Sequence, residues 1–324
     1  MSQQRHSATP VLDQSTTDHP ERGDMSEAKP DPRLDRVMAL ANWKGGVGKT
    51  TLTANMGHTL ANGGARILLV DLDLSGNLAL DLGLIQHPEQ DAGAGLMAAI
   101  RDGEALHPIK GVRPGLDWIP GGMELRGIGR LDPEVAIANF REQIAAAAQA
   151  GDYDLVMLDC PPNHPEIIEM AFGAARYILV PSKSDPASWD GIAKLGPFVH
   201  QARAINPKLT WLGIVIFDVD TQATSVLASV RSSLSHYGMP ILTAPVRHSA
   251  RGAHFTRARG QLLGEFANGS KDTIRALRMR RSDPTVEIPV SGGETAKSLQ
   301  EDYEHIAGEV IQLITQHEDR EAMA

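Results

Sequence analysis

Apolar and polar positions follow two periods that alternate along the chain. Short, mostly apolar runs are typical of buried parallel strands, and segments with apolar residues at helical spacing follow them, such as Leu52, Met56 and Leu60. The predicted strands cover residues 36–42, 66–71, 153–159, 176–181, 210–217 and 241–246. The predicted helices cover residues 50–62, 134–149, 164–175, 187–204, 223–236 and 296–317. This order predicts an α/β fold with a single doubly wound, mostly parallel sheet and helices on both faces.

Composition divides the chain into a central domain and two tails. Residues 1–35 lack aromatic side chains and are rich in Asp, Glu, Ser, Thr, Gln and Pro, so they bury too little apolar surface to offset the entropy of ordering. We predict a disordered tail over 1–35, one α/β domain over 36–318 and a short acidic tail over 319–324. Residues 282–294, with two prolines and a glycine pair, predict a loop before the last helix.

The cysteine count and the hydropathy pattern exclude several classes of protein. Cys160 is the single cysteine among 324 residues, which rules out an intrachain disulfide and the cysteine ligands of an iron–sulfur electron donor. The sequence contains no apolar run long enough to span a bilayer and no signal-peptide pattern at its N-terminus. We therefore expect a cytoplasmic protein.

A glycine-rich loop lies between the first predicted strand and the first predicted helix. Residues 44–51 read Lys-Gly-Gly-Val-Gly-Lys-Thr-Thr. In such a loop the backbone N–H groups surround a polyphosphate, the lysine reaches the β- and γ-phosphates, and the threonine hydroxyl ligates Mg²⁺. Lys49 and Thr50 fit these two roles. The predicted nucleotide-binding residues are Lys44, Gly45, Gly46, Val47, Gly48, Lys49, Thr50 and Thr51.

Two further apolar runs end in carboxylates. Residues 66–73 close on Asp71 and Asp73 and are followed by a Ser-Gly-Asn turn, and residues 153–162 contain Asp159 followed by Cys-Pro-Pro. A buried parallel strand that delivers a carboxylate to the Mg²⁺ shell is typical of P-loop NTPases. For the first run, a turn that uses Asp, Ser, Gly and Asn for backbone reasons alone is the alternative interpretation.

These three motifs together resemble the ParA/MinD family of dimeric ATPases. The common P-loop pattern has Gly where this chain has Trp43, and Lys44 stands directly before the glycine pair, as in the deviant Walker A motif of that family. The resemblance implies that Lys44 reaches across a dimer to the partner's nucleotide. A solvated loop lysine in an ordinary nucleotide-binding protein is the plainer alternative.

The same resemblance assigns roles to individual residues. It implies that Asp73 orients the attacking water, although Leu74 and Ser75 replace the Pro-Gln pair that usually follows this aspartate in the family. The implied cofactors are ATP and Mg²⁺. The implied catalytic residues are Lys44, Lys49 and Asp73, and the implied Mg²⁺ ligands are Thr50, Asp71 and Asp159.

Positive charge is concentrated in one stretch of an acidic chain. The formal net charge is −9, yet residues 247–281, the basic stretch, contain nine Lys or Arg against two acidic residues. Such a stretch is the footprint expected for contacts with DNA phosphates, whereas a solvated face with internal ion pairs is the alternative. The family resemblance favours non-specific DNA binding. The predicted DNA-binding residues are Arg247, Arg251, Arg257 and Arg259.

The last predicted helix bears on a possible membrane role. An apolar stripe at 4-3-4-3 spacing is formed by Leu299, Tyr303, Ile306, Val310 and Leu313. Residues 295–324 carry seven Asp or Glu against two basic residues, and an anionic bilayer would repel such a polar face. We therefore expect the stripe to pack in the core and the protein not to bind membranes.

The resemblance implies a function in the partition of plasmid or chromosomal DNA. We expect an ATP-dependent homodimer, or a filament on DNA, that binds DNA non-specifically and associates with the nucleoid. Its weak intrinsic ATPase activity is expected to be stimulated by a ParB-type centromere-binding partner. A ParA-like ATPase that positions a protein cargo stays open as an alternative. A MinD-like membrane-positioning ATPase is disfavoured by the acidic C-terminal segment.

Overall fold

A computed structural model describes residues 30–249, 257, 259–267, 279–280 and 293–323. The predicted tail up to residue 29, Arg251 and the predicted loop up to residue 292 therefore lie outside the described residues. Pro32–Leu34 form a short 3₁₀ helix in which Leu34 is buried. The folded domain thus begins a few residues before the predicted boundary.

In the described part of the chain, one sheet of eight strands organises the domain. The strands are β1 (Val37–Leu40), β2 (Ile67–Asp71), β3 (Ile109–Arg113), β4 (Leu116–Ile119), β5 (Leu155–Asp159), β6 (Tyr177–Ser182), β7 (Thr210–Val219) and β8 (Val246–Arg247). Their spatial order is β3-β4-β2-β5-β1-β6-β7-β8. β3 pairs antiparallel with β4, and the other neighbouring strands are parallel. The predicted mostly parallel sheet is confirmed.

Helices cover both faces of this sheet. They are α1 (Lys49–Asn62), α2 (Asn77–Leu82), α3 (Ala94–Asp102), α4 (Pro133–Gly151), α5 (Pro165–Ala174), α6 (Pro186–Ala193), α7 (Gly196–Ala202), α8 (Thr224–Ser235) and α9 (Gly293–Ala322). A second 3₁₀ helix spans Met123–Arg130. α9 includes most of the residues that were predicted as an acidic tail.

Alternation along the central strands divides the core into two layers. In β1, Val37 and Ala39 join one buried cluster and Met38 and Leu40 join the other, because successive side chains of a strand point to opposite faces. The first layer includes apolar residues of α4 and α5, and the second includes residues of α1 and α9. The doubly wound arrangement brings the carboxyl ends of β1, β2 and β5 to one edge.

Two predicted elements are wrong in extent. The helix predicted over 187–204 is divided into α6 and α7, because Pro197 has no N–H for the carbonyl four residues earlier and is favourable only in a first helical turn. The strand predicted over 241–246 is reduced to a single bridge at Ile241 and the two residues of β8. Pro245 lies between them and cannot donate to a ladder.

Several short elements were not predicted. α2, α3 and β3 lie in the segment between the second and third motifs, where the sequence has no sustained apolar period. α2 and α3 each begin and end at a glycine in the left-handed conformation. These helices are therefore defined by their capping glycines and by tertiary packing rather than by a long amphipathic pattern.

The C-terminal stripe is buried, as predicted. Tyr303, Ile306 and Val310 are each at most 1% exposed and belong to the cluster that α1 and the central strands form. Among the described residues, no helix is both long enough and sufficiently apolar to cross a bilayer. The apolar face of α9 is therefore part of the core.

This burial predicts a large difference between two isoleucines of the same helix. Ile306 is 0% exposed and Ile311 is 42% exposed. Ile306→Ala is expected to lower the free energy of unfolding by about 2–5 kcal/mol, because a buried side chain leaves a cavity. Ile311→Ala, which has the same effect on helix propensity, should change it by about 0.5 kcal/mol or less. Urea unfolding followed by circular dichroism measures both, and equal small losses would contradict the assignment of α9 to the core.

Candidate nucleotide-binding site

The loop between β1 and α1 has a conformation that requires glycine. Gly46 and Gly48 have φ values of 73° and 95°, in the left-handed region. A Cβ atom on Gly48 would also lie 2.4 Å from the ring of Phe217, which projects from β7. Any side chain at Gly48 therefore meets both backbone strain and a steric clash. The loop leads directly into α1, whose first N–H groups have no partner within the helix.

Asn42 connects this loop to the neighbouring strand and helix. Its side-chain amide donates to the carbonyl oxygens of Pro181 and Ser188 at 3.0 and 3.2 Å, and its Oδ1 accepts from the N–H of Lys44 at 2.9 Å. Asn42 is fully buried. Sequence analysis did not identify this residue, although a polar side chain at the end of an apolar run was a visible signal.

Lys49 points back into the loop. Its Nζ donates to the carbonyl oxygens of Asn42 and Lys44, both at 3.1 Å. Burial lowers the pKa of Lys49, while the negative charge of Asp159 opposes that shift. The loop carbonyls therefore hold the ammonium group within the loop, where the predicted phosphates would lie.

Asp71 and Asp159 are directly opposite each other on β2 and β5. Both are fully buried, and the Oδ2 atom of each has no hydrogen-bond partner within the protein. Burial raises the pKa of Asp159 to about 7, and burial together with the charge of Asp159 raises the pKa of Asp71. Two buried carboxylates with unused oxygens, close to the Thr50 hydroxyl, form a donor set that fits Mg²⁺.

Asp73 is oriented by Ser75, one of the two residues that depart from the family pattern. The N–H and the hydroxyl of Ser75 donate to Asp73 Oδ1 at 2.9 and 2.7 Å. The Asn77 amide donates in turn to the Ser75 hydroxyl at 2.7 Å. The second carboxylate oxygen, Oδ2, takes no part in these contacts. Sequence analysis identified Asp73 but gave no role to Ser75 or Asn77.

Lys44 lies on the outer side of the loop. Its residue is exposed, and a cavity of about 490 Å³ opens beside it. The cavity is lined by Trp43, Lys44, Gly45, Asn163, Ala187, Asp190, Gly191 and Lys194. Trp43, at the position where the common pattern has glycine, stacks on Phe198 with ring centroids 5.3 Å apart. Because Trp43 replaces the glycine of the common pattern, an aromatic side chain lines the cavity next to Lys44.

Comparison with known proteins agrees with this geometry. The sequence model of an AAA domain family matches residues 35–211. The chromosome partitioning protein ParA of Caulobacter vibrioides is 30% identical over 222 residues, which cover 67% of this chain and 82% of that protein. The chromosome-partitioning ATPase Soj of Thermus thermophilus is 33% identical over 218 residues, with the same coverage of 67% and 82%. The chain belongs to the ParA family of P-loop ATPases.

A solved structure supports the fold of this ParA-family chain. Cobyrinic acid a,c-diamide synthase from Mycobacterium smegmatis, determined with a bound ATP analog and magnesium, superposes with a TM-score of 0.55 and 24% identity. The match covers 79% of this chain and 98% of that one. The likeness at this identity concerns the fold alone.

In this ParA-family chain, two of the predicted DNA-binding arginines bind carboxylates. Arg247 pairs with Asp302 of α9 at 2.6 Å, and Arg257 pairs with Asp81 of α2 at 2.6 Å. Arg259 places its guanidinium 5.9 Å from the centre of the Phe266 ring. Arg251 lies outside the described residues, and DNA contact by these arginines stays a prediction.

The raised pKa of Asp159 predicts a pH-dependent stability in the presence of EDTA. Because the pKa is raised to about 7 in the folded chain, ionisation costs free energy in the native state. The stabilising contribution is complete below the unfolded pKa of about 4 and is lost as the pH rises through 7. The free energy of unfolding of the wild type should therefore fall between about pH 4 and 7 relative to that of Asp159→Asn.

The size of this difference is about 1.4 kcal/mol for each unit by which the two pKa values differ. Asp152, whose side chain is 80% exposed, provides the control, and because Asp152→Asn keeps Asp159, its pH profile should run parallel to that of the wild type. Urea unfolding at four pH values measures all three proteins. Parallel profiles for the wild type and Asp159→Asn would contradict the raised pKa.

Proposed function

We propose that this chain is a nucleotide-switched partition ATPase, which binds DNA as an ATP-dependent dimer and releases it after hydrolysis. The observation that carries the proposal is the position of Lys44. It is exposed beside a cavity on the outer side of the phosphate loop, while Lys49 occupies the inner side. A lysine on the outer side is available to the nucleotide of a second subunit, which couples ATP binding to dimerisation.

ATP and Mg²⁺ are the proposed cofactors. Backbone N–H groups from Gly45 to Thr51 would surround the phosphates, and Lys49 would neutralise the β- and γ-phosphates. Thr50, Asp71 and Asp159 would hold Mg²⁺, and the unpartnered Oδ2 atoms of the two aspartates support this assignment. The metal would supply charge neutralisation for the transferred phosphoryl group.

Hydrolysis would depend mainly on positioning and electrostatics. Asp73 is the proposed residue that orients the attacking water, and the hydrogen bonds from Ser75 to its Oδ1 leave Oδ2 as the acceptor for that water. Lys44 of the partner subunit would add positive charge where negative charge develops. A ParB-type partner that stimulates hydrolysis would then release the dimer from DNA.

The basic stretch is the proposed DNA-binding region. Its net charge of +7 on a chain of net charge −9 supports phosphate contacts without sequence preference. Arg247, Arg251, Arg257 and Arg259 are the proposed contacts, and the carboxylates that bind Arg247 and Arg257 would have to release them. The protein would thereby be associated with the nucleoid in its ATP-bound form, as a dimer or a filament.

The first test compares DNA binding in three nucleotide states. With a non-specific duplex, salt-sensitive binding is expected with ATP and Mg²⁺ and not with ADP or without nucleotide. Lys44→Ala should lose this binding because it cannot dimerise on ATP. Lys194→Ala is the matched control, since Lys194 lines the same cavity and is also exposed, and it should retain ATP-dependent binding.

Fluorescence anisotropy and analytical ultracentrifugation provide the two measurements. If ATP drives dimerisation through Lys44 and no state binds DNA, the switch acts on another cargo, such as a protein assembly. Equal behaviour of the two lysine variants would contradict the role of Lys44.

A second test concerns Ser75. Ser75→Ala removes the hydroxyl that donates to Asp73 while keeping the backbone donor, so the rate of single-turnover hydrolysis should fall about tenfold, as expected for one hydrogen bond to a charged group. ATP affinity should be unchanged, and Ser75→Thr should restore most of the rate. A wild-type rate in Ser75→Ala, alongside a large loss in Asp73→Ala, would show that the hydroxyl does not position the carboxylate.

A further inference from the structure

Part of the basic stretch packs against the helix that follows the phosphate loop. Residues 259–267 contact α1 and α2: the N–H of Leu263 donates to Asn55 Oδ1 at 2.9 Å. A Cβ atom on Gly260 would lie 2.2 Å from the Cα of Gly83, so the two backbones are in direct contact. Residues 259–267 of the basic stretch therefore pack on α1, the helix whose first turn belongs to the proposed nucleotide site.

Asp81 joins these two regions with its two carboxylate oxygens. Oδ2 accepts from the Thr51 hydroxyl at 3.1 Å, and Oδ1 accepts from Nε of Arg257 at 2.6 Å. The side chain of Asp81 is 7% exposed and that of Arg257 is 43% exposed. We call this arrangement of Thr51, Asp81 and Arg257 the Asp81 bridge. It connects a residue in the first turn of α1, directly after the glycine-rich loop, to a residue of the basic stretch through one buried carboxylate.

The bridge is sensitive to a negative charge beside Thr51. A buried carboxylate depends on its partners, because no water replaces a lost hydrogen bond or counter-charge. A phosphate oxygen next to Thr51 can accept the hydrogen bond that the Thr51 hydroxyl donates to Asp81 in this structure, and its charge repels the carboxylate. Either effect weakens the position of Asp81 and with it the pairing with Arg257.

We propose that the Asp81 bridge couples nucleotide binding to the release of Arg257 from its internal ion pair, so that the basic stretch can bind DNA phosphates. This inference rests on the proposed function, since it assigns the regulation of the same nucleotide site. Thermodynamic linkage makes the coupling reciprocal: a nucleotide that weakens the bridge favours DNA binding, and loss of the bridge favours nucleotide binding by the same factor.

A second ion pair in the chain provides the matched control. Arg247 pairs with Asp302, whose side chain is 8% exposed, at the same 2.6 Å distance. Asp302 accepts hydrogen bonds from the guanidinium and from the backbone N–H of Arg247. Asp81→Asn and Asp302→Asn thus make the same chemical change to two Asp–Arg pairs whose aspartates are similarly buried. The two aspartates differ in that Asp81 also accepts a hydrogen bond from Thr51.

The experiment measures ATP affinity and DNA affinity of the wild type and both variants. Asp81→Asn is expected to tighten ATP binding about tenfold and to raise DNA binding without nucleotide by a similar factor, so that the ratio of DNA affinities with and without ATP falls. Asp302→Asn should leave ATP affinity unchanged and alter DNA affinity equally in all nucleotide states. Equal ATP affinities and equal ratios in all three proteins would overturn the proposal.

The ATP arm separates this inference from the proposed DNA function. If the wild type binds ATP but no DNA in any state, the DNA function fails, while tighter ATP binding in Asp81→Asn and not in Asp302→Asn still supports the bridge. If the wild type shows ATP-dependent DNA binding and Asp81→Asn behaves like Asp302→Asn, the bridge fails and the function stands.

A second measurement applies if Asp81→Asn does not fold. The Lys44→Ala variant keeps the residues of the Asp81 bridge and is expected to bind ATP without dimerising. Hydrogen exchange of its backbone amides therefore reports on residues 259–267 in the monomer. Opening of the bridge by ATP should accelerate exchange of the Leu263 amide, which now donates to Asn55. Unchanged protection of 259–267 at saturating ATP would overturn the proposal.

Discussion

The repulsion between Asp71 and Asp159 is the constraint on which the site depends. The parallel register of β2 and β5 places the two carboxylates opposite each other in the core, and β1, which leads into the phosphate loop, lies beside β5. Lys49 opposes part of this charge, but loop carbonyls also bind its ammonium group. The fold therefore places two carboxyl groups together at the edge where the loop begins, and a cation at their unpartnered oxygens would offset the repulsion between them.

The motifs could be predicted from the sequence because they are local. A strand, a glycine loop and a helix are consecutive, and the carboxylates come directly after apolar runs, so their positions follow from chain order and sheet topology. The supports of the site could not be predicted in this way. Asn42 binds carbonyls of Pro181 and Ser188, well over a hundred residues further along the chain. Ser75 acts through a hydrogen bond that its residue type alone does not reveal.

The charge count of the basic stretch does not predict which of its arginines are bound to carboxylates within the protein. Its excess of arginine was evident from the sequence, but Asp81 and Asp302, which bind two of these arginines, are distant in the chain and belong to α2 and α9. α2 itself was not predicted, since its six residues are too few for a clear helical period. A charge count therefore measures how much positive charge a segment carries, whereas its availability to DNA depends on tertiary contacts.

The burial of the apolar stripe of helix α9 opposes its use as a membrane-bound helix. To lie on a bilayer, its apolar stripe would have to leave the core, which would expose Tyr303, Ile306 and Val310 and uncover the apolar residues of α1 beneath them. The same movement would separate Asp302 from Arg247 and leave an uncompensated charge. Membrane binding by α9 would thus oppose the folding of the ATPase domain, whereas the proposed DNA binding would require only that Arg247 and Arg257 change partners. The packing of α9 against α1 and the ion pair between Asp302 and Arg247 at the end of β8 make the last helix part of the folded domain.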